Sequence, residues 1–432
     1  MISRLFVFVL MASLTSTPAL AGSLSSLTAY SARYFGSLNR HASIDADAGP
    51  YNLAGQAFGR KGFSVMAANQ TWFRLERLSF RATPDMERTH YDATNGVPAI
   101  PTLNINYNHG DWGVYFFGGV PAGGGADFKT GHPLYVEFED LALDVARQLA
   151  ADLDIPPEAI TDVKAQEGGR VTATAMIIGL TFGGYYKPTD WLSIGAAVRY
   201  VDGQYTYTAN NTYDIINKDL GVLQEYPAVV DTVHNASGVG FMLGMHIQPT
   251  PELNIGLQYQ SNTKLKYIFS TAEDSTGLYP DGDGIRKDIP PVLAMGVSYD
   301  LTENLQVASS WAIYFNKFSK QGPNAAGGKN TDNFRNGWEG GLGIEYRVIK
   351  PLTLRTGFLF NRAAHTQQAL SSLAWSFDHF MVGTGLTWHC LDWMDFTTGF
   401  SQMIPNGGLN EDESIDFYVR RTALAVELDF YF

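Results

Sequence analysis

The stretch RTALAVELDFYF, residues 421–432, decides the fold class because its side chains alternate strictly along the chain. One set of alternate positions carries Thr422, Leu424, Val426, Leu428, Phe430 and Phe432, and the other set includes Arg421, Glu427 and Asp429. A period of two is typical of a β-strand with one apolar and one polar face. Such a strand fits a soluble β-sandwich with its apolar face inward, or a membrane β-barrel whose apolar face meets lipid.

The spacing of such segments favours the barrel. The same alternation recurs at 253–260, 305–315 and 352–361. Short connections are found at 109–111, 187–190, 248–252, 300–304, 347–351 and 389–392, and longer polar segments at 84–97, 121–168, 208–234, 269–288, 319–334, 362–375 and 405–419. Alternating short periplasmic turns and long external loops are typical of outer-membrane barrels. Six turns and seven loops predict 14 antiparallel strands, with both ends of the barrel on the periplasmic side.

The N-terminus indicates export. Arg4 is followed by the apolar run LFVFVLMASL and by small residues at Ala19 and Ala21, so residues 1–21 are predicted to be a signal peptide. No later run of apolar residues is long enough for a transmembrane helix. A net charge of −13 argues against nucleic acid as a partner. We therefore expect a barrel in the outer membrane of a Gram-negative bacterium.

Three stretches carry a resemblance to a known family. They are DADAGPYNLAG (45–55), VPAIPTLNINYNHGDWGVYFFGGVPAGGG (97–125) and the C-terminal strand ending in Phe432. Together they resemble the long-chain fatty acid transporter family of outer-membrane proteins, which also includes toluene and xylene channels. The resemblance implies a plug at 22–61 inside a barrel formed by 62–432. It also implies passive, ligand-gated uptake of long-chain fatty acids or similar hydrophobic molecules. The family's Asn-Pro-Ala plug motif corresponds to Asn52, Leu53 and Ala54, followed by Gly55, and Leu53 departs from it.

The stretch GGVPAGGG (118–125) interrupts the third strand. Proline removes a donor from the strand ladder, and glycine permits backbone conformations that other residues avoid. The resemblance implies a lateral portal through which cargo leaves the lumen, formed by Gly118, Gly119, Pro121, Gly123, Gly124 and Gly125. The alternative is a flexible start to the external loop at 121–168, since 111–120 already supplies enough residues to span the membrane.

The external loop and two arginines are candidate ligand-binding elements. Apolar residues recur at three and four spacing through Phe138, Leu141 and Val145, which predicts an amphipathic helix. That helix either packs on other loops or forms an external apolar groove for cargo. Strand alternation points Arg199 and Arg355 into the lumen, where each could match a cargo carboxylate or pair with an inward carboxylate such as Glu339, Glu345 or Glu427.

Other functions remain open at this point. A general porin for polar solutes requires an open lumen, and an aromatic hydrocarbon channel needs the same apolar interior as a fatty acid transporter. The sequence has no G-x-S-x-G, H-E-x-x-H or Cys/His metal-ligand spacing, so neither an enzyme, a cofactor nor a metal site is expected. A hydrolase that builds a Ser/His pair across strands would escape this test. The expected partners are a hydrophobic small molecule, outer-membrane lipids and lipopolysaccharide, and we expect a monomer.

Overall fold

Residues 30–152, 156–320 and 334–432 are described by the computed structural model. The predicted signal peptide at 1–21, the start of the predicted plug at 22–29 and most of the predicted loop at 319–334 lie outside this part of the chain. Fourteen strands form the wall: β1 (Gly62–Phe80), β2 (Thr89–Asn108), β3 (Trp112–Phe128), β5 (Arg170–Thr189), β6 (Leu192–Asn217), β7 (Gly221–Thr250), β8 (Leu253–Gln260), β11 (Val292–Thr302), β12 (Leu305–Tyr314), β13 (Gly337–Ile349), β14 (Leu352–Arg362), β15 (His379–Leu391), β16 (Met394–Met403) and β18 (Ile415–Tyr431). Short strands at the loop end extend this sheet: β4 (Ile160–Ala165), β9 (Lys266–Asp274), β10 (Gly284–Arg286) and β17 (Asn406–Leu409).

The barrel is closed by antiparallel pairing of the first and last strands. The β1–β18 ladder runs from Ser64–Tyr431 to Phe80–Ile415. Every wall strand pairs with its neighbour in chain order, which is the simplest way to leave no sheet edge exposed to lipid. The predicted 14-stranded antiparallel barrel is confirmed.

The tight turns lie where alternation ends, but the strands extend further into the loops than expected. The predicted loop 208–234 is replaced by continuing β6 and β7, which leave only 218–220 as a turn. The loop predicted to begin at 121 begins after Phe128, because β3 continues through the glycine-rich stretch. The reason is that polar side chains report contact with water and not the absence of a strand, since ladder hydrogen bonds form on both sides of the membrane boundary.

Side chains alternate between lipid and lumen as the sequence predicts. On β18, Leu424 and Val426 are 46% and 48% exposed, whereas Glu427 and Asp429 are buried inside the barrel. The exposed residues of neighbouring strands are likewise large and apolar, such as Phe182 on β5 and Val198 on β6. This outward apolar surface is stable only against hydrocarbon.

Residues 30–61 fill the lumen as a plug, and the longer helices are external. The plug begins with helix α1 (Ala32–Ser37), whose side chains are buried. Between β3 and β4 lie α2 (Pro133–Glu137) and α3 (Glu139–Asp152). None of the helices in the three described ranges is long and apolar enough to cross a membrane.

Candidate functional site

The plug turn at residues 52–55 is hydrogen-bonded to the barrel wall at several points. The Asn52 side-chain amide donates to the Ser43 carbonyl at 3.0 Å and lies 2.8 Å from Nδ1 of His246 on β7. The Leu53 backbone N–H donates to Gln258 Oε1 at 3.0 Å. The Nε2 of the same Gln258 side chain donates to the Pro50 carbonyl. The Ser193 hydroxyl donates to the Ala54 carbonyl at 2.5 Å. These wall contacts fix the backbone of the turn.

Leu53 stands where the resemblance places a proline, and its side chain packs closely against two wall strands. Gly195 on β6 and Gly244 on β7 are direct ladder partners, and their missing side chains leave a notch that Leu53 occupies. A Cβ at Gly244 would lie 2.7 Å from Cγ of Leu53, a distance that real Cβ contacts do not show. The wall therefore packs closely around the Leu53 side chain.

We expect the Gly244→Val variant to loosen the plug. The added methyl groups would force Leu53 out of the notch, and overpacking of this kind costs about 1–3 kcal/mol. Planar-bilayer recordings should show more frequent open-channel events than wild type. The Gly244→Val/Leu53→Ala double variant should restore closed behaviour because the smaller side chain makes room, whereas equal conductance in all three proteins would contradict the notch.

Further inward glycines let the rest of the plug approach the wall. Added Cβ atoms would overlap plug backbone at several wall positions, and the neighbouring plug residues include Ala32, Phe35, Ser37 and His41. The positions are Gly256 on β8, Gly296 on β11, Gly343 on β13, Gly357 on β14, Gly383 on β15 and Gly399 on β16. Several of them are direct cross-strand partners, so they form a band that we call the glycine ring. Glycine within a strand is a known mark of close backbone approach.

An ion-pair network anchors α1 to the last strands. Arg33 lies within 3.1 Å of Asp395, 3.0 Å of Glu427 and 2.5 Å of Asp429, and all four side chains are almost fully buried. The Ala32 backbone N–H at the start of α1 donates to Glu427 Oε2 at 2.7 Å. The Arg33 guanidinium therefore balances part of the charge of three buried carboxylates. If the plug left the lumen, these carboxylates would lose their counter-charge.

A second ion-pair network joins plug residues to β13. Arg40 contacts Asp45 at 2.6 Å, Asp47 at 2.7 Å and Glu345 of β13 at 3.1 Å. Although burial alone would raise the pKa of Asp45, the charges of Arg33 and Arg40 hold it well below its usual value. This carboxylate is therefore ionised in the folded protein.

The ladder between β2 and β3 is interrupted over nine residues of each strand, 94–102 and 119–127. It is intact from Asn108–Gly113 to Leu103–Gly118 and resumes at Ala93–Phe128. At about 3.3 Å per residue the interrupted length is about 30 Å. We call this interrupted stretch of the β2–β3 ladder the wall gap. One side-chain bond crosses it, from the Asn95 amide to the Gly125 carbonyl at 2.8 Å.

The local sequence explains the wall gap. Pro98 and Pro101 on β2 and Pro121 on β3 each lack the N–H that a ladder needs, and they come from opposite sides of the opening. On its other side β3 stays paired with β5, with a bulge between Gly119 and Ala122. The glycine-rich stretch therefore neither ends the strand nor releases it as a loop, and it separates β3 from β2 alone.

Apolar side chains flank the wall gap on the outer surface. On β1 the lipid-facing Phe73 is 51% exposed, and on β5 the lipid-facing Met176 and Ile178 are 54% and 41% exposed. Met176 is the ladder partner of Gly123. The wall gap therefore lies within an apolar outer surface of the barrel.

The external helices cover an apolar cavity at the opposite end from the tight turns. It measures about 60 Å³ and is lined by Leu134, Phe138, Tyr207, Tyr213, Tyr279 and neighbouring residues. Phe138 is thus placed in a cavity, while Val145 is buried and is not among its lining residues. Leu141 lies in α3, but its side chain is outside the described part. The apolar face of the external helices therefore packs against other residues at Val145 and borders a cavity at Phe138.

The two predicted arginines have different surroundings. Arg355 pairs with Glu345 at 2.9 Å and with Thr387, so its charge is already matched within the network that includes Arg40. Arg199 is also buried, but among the described residues it contacts no carboxylate, and only Nη1 has a partner, Gln260 at 2.9 Å. Arg199 lines a cavity of about 10 Å³ together with Pro121 of the wall gap.

The inner face of β6 connects these two cavities. It presents Arg199 at the small cavity and, eight residues further, Tyr207 at the external one, a distance of about 26 Å along the strand. Between them Val201 and Tyr205 belong to the same apolar cluster as Tyr207. Lys287 lies 4.3 Å above the Tyr205 ring, and within the described residues its ammonium has no hydrogen-bond partner. Burial lowers the pKa of Lys287 to about 7.

A sequence profile for outer membrane protein transport proteins (OMPP1/FadL/TodX) matches residues 157–427. The chain belongs to this family. Membership makes it an outer-membrane β-barrel of a Gram-negative bacterium that transports hydrophobic compounds. The matched region contains β4–β17 and most of β18, whereas the plug and the wall gap precede it.

Solved structures with the family's fold cover nearly the whole chain. A FadL homologue from Pseudomonas aeruginosa superimposes with a TM-score of 0.64 at 15% identity, over 94% of this chain and 98% of its own. The toluene transporter TodX from Pseudomonas putida gives 0.63 at 14% identity, over 97% and 100%. The toluene transporter TbuX from Ralstonia pickettii gives 0.56 at 16% identity, over 88% and 92%. At such identities the likeness establishes the fold. No curated protein matches the chain in sequence.

Several site residues of this family member are not apparent from the sequence. Arg33, His246 and Gln258 hold the plug, and Lys287 projects into the lumen. Alternation could have marked His246 and Gln258 as inward, since each lies on a strand. Arg33 and Lys287 lie outside regular strands, so no sequence signal assigned them a direction.

Proposed function

We propose that the protein carries long-chain fatty acids across the outer membrane and releases them sideways into the membrane through the wall gap. The observation that supports this most directly is the interrupted β2–β3 ladder, with apolar side chains on its outer flanks. A hydrophobic molecule that leaves by this route would avoid crossing the polar lipopolysaccharide layer. One barrel contains the whole route, so a monomer suffices.

The buried cations favour a carboxylate over an aromatic hydrocarbon as cargo. An unpaired charge inside a barrel is costly and usually serves a function. Arg199 beside the wall gap would match a carboxylate, and so would Lys287 over the Tyr205 ring when it is protonated, whereas toluene would leave Arg199 without a counter-charge. The apolar inner face of β6 between them supplies a surface for the hydrocarbon tail.

The plug supports gating and opposes the porin alternative. It occupies the lumen at the glycine ring, and a general porin needs an open channel at that level. In this proposal bound cargo shifts the turn formed by Asn52, Leu53, Ala54 and Gly55, and so connects the small cavity at Arg199 with the wall gap. Transport is passive and involves no catalytic step.

The test is uptake of labelled oleate by cells that lack their own outer-membrane fatty acid transporter, at matched expression. Uptake above the empty control is expected, and none from a correctly inserted barrel would overturn the proposal. The Arg199→Gln variant should lower oleate uptake by roughly tenfold because a charged hydrogen bond is lost. Arg347→Gln, at the exposed periplasmic end, is the matched control and should leave uptake unchanged.

A further inference from the structure

Arg74 lies at the inner mouth of the wall gap. Its side chain points into the lumen from β1, and its ladder partner on β2 is Asn95, the residue whose amide crosses the gap to Gly125. A Cβ at Gly124 would lie 2.5 Å from Nη1 of Arg74, so this guanidinium rests against the glycine backbone of β3. The absence of a side chain at Gly124 makes the approach possible.

Among the described residues, two arginines contact one carboxylate beside the wall gap. Its Nη2 contacts Glu76 Oε1 at 2.7 Å, and Nη2 of Arg421 contacts the same oxygen at 2.9 Å. Arg74 and Arg421 are direct cross-strand partners, an arrangement that destabilises a sheet when the charges are alike. Within the described residues Arg74 Nε has no hydrogen-bond partner. Two largely buried cations therefore share one carboxylate.

The neighbouring side chains are apolar. Trp72, two residues before Arg74 on the same face, belongs to a hydrophobic cluster that Val97 and Ile100 of β2 extend to the edge of the wall gap. Phe117 of β3 belongs to the same cluster. The inner mouth thus combines an apolar surface with a cation, which is the pattern that suits an anionic amphiphile.

We propose that Arg74 binds the carboxylate of a long-chain cargo while the tail passes through the wall gap. This inference rests on the proposed function and assigns one residue of the wall gap to the carboxylate of that cargo. Moving a carboxylate from water into this apolar site is costly without a counter-charge, so Arg74 lowers the barrier to lateral exit. A neutral molecule with the same tail gains nothing from it.

A purely structural role for Arg74 fits the charges less well. Arg421 alone would neutralise Glu76, so the Arg74→Gln variant leaves a balanced ion pair and no unpaired carboxylate. The variant is therefore expected to fold and insert. Arg77→Gln is the matched control, because Arg77 lies three residues further along β1, exposed on the outer face and paired with Asp92.

The experiment compares uptake of oleate with uptake of oleyl alcohol, which has the same tail and no charge, in cells at matched outer-membrane expression. Arg74→Gln should lower oleate uptake by about tenfold and leave oleyl alcohol uptake within about twofold of wild type. Arg74→Lys should keep most oleate uptake because it retains the charge. Arg77→Gln should resemble wild type with both compounds.

Each other outcome overturns the inference. Equal losses for oleate and oleyl alcohol would show that Arg74 supports the wall and does not select charge. Unchanged uptake of both would show that it does neither, or that its anion is a phosphate of the surrounding lipids. If wild type transports no oleate, the proposed function fails first and this inference falls with it, so the two failures are distinguishable.

Discussion

The Gly123→Trp variant is expected to lose most oleate uptake, by about tenfold or more, while still inserting as a folded barrel. Gly123 lies on β3 at the wall gap and faces outward. A Cβ there would meet the Ala175 carbonyl oxygen at 3.1 Å, Val120 at 3.5 Å and Met176 at 3.8 Å. Because these sides are occupied, the indole would extend over the gap. The tight contact with Ala175 requires a shift of a few tenths of an ångström, which a strand can absorb.

The control for this prediction is Gly118→Trp. Gly118 faces outward on the same strand, but it is paired on both sides, with Leu103 of β2 and Leu180 of β5. An indole there would lie on a continuous wall and should leave uptake close to wild type. Normal uptake by Gly123→Trp would mean that cargo leaves by another route, such as the periplasmic end of the lumen.

The Arg33→Met variant is expected to destabilise the plug more than any other single change in the lumen. It would leave Asp395, Glu427 and Asp429 buried without their shared cation, and breaking a buried ion pair from one side typically costs about 3–5 kcal/mol. Planar-bilayer recordings should show large, long-lived open states, and denaturant unfolding should begin at lower urea concentration.

Two further proteins test whether this effect comes from charge. Arg33→Met combined with Glu427→Gln and Asp429→Asn removes most of the unbalanced charge and should recover much of the closed behaviour. Arg60→Met alters an exposed arginine that donates to the Asp392 carbonyl at the end of the plug, and it should have little effect. An Arg33→Met protein with wild-type conductance would show that the hydrogen bonds of the plug turn suffice to hold it.

The site was predictable in parts that depend on local pattern. Alternation placed Arg199 and Arg355 in the lumen, and the resemblance drew attention to the turn at 52–55 and to the stretch 118–125. Alternation could not decide that Arg355 is matched by Glu345 while Arg199, in the described ranges, hydrogen-bonds to the Gln260 amide and to no carboxylate, because those partners lie on other strands. Three histidines in or near loops, His132, His234 and His365, are buried, and their rings pack against aromatic side chains of the strands and loops.

The sequence by itself determined the barrel. The sequence has a period of two, tight turns at regular intervals and an apolar set of alternate positions. Such a chain can pair all its backbone hydrogen-bonding groups in lipid only by closing into a barrel. Only the tertiary structure decided where the ladder of that wall is interrupted. The wall gap places Pro98 and Pro101 of β2 and Pro121 of β3 in one interrupted stretch of the ladder, and it requires Arg74 to face Gly124 from a third strand. Local pattern fixes which face a side chain takes, but its neighbours depend on the register between distant segments, and that is set only when the barrel closes around its plug.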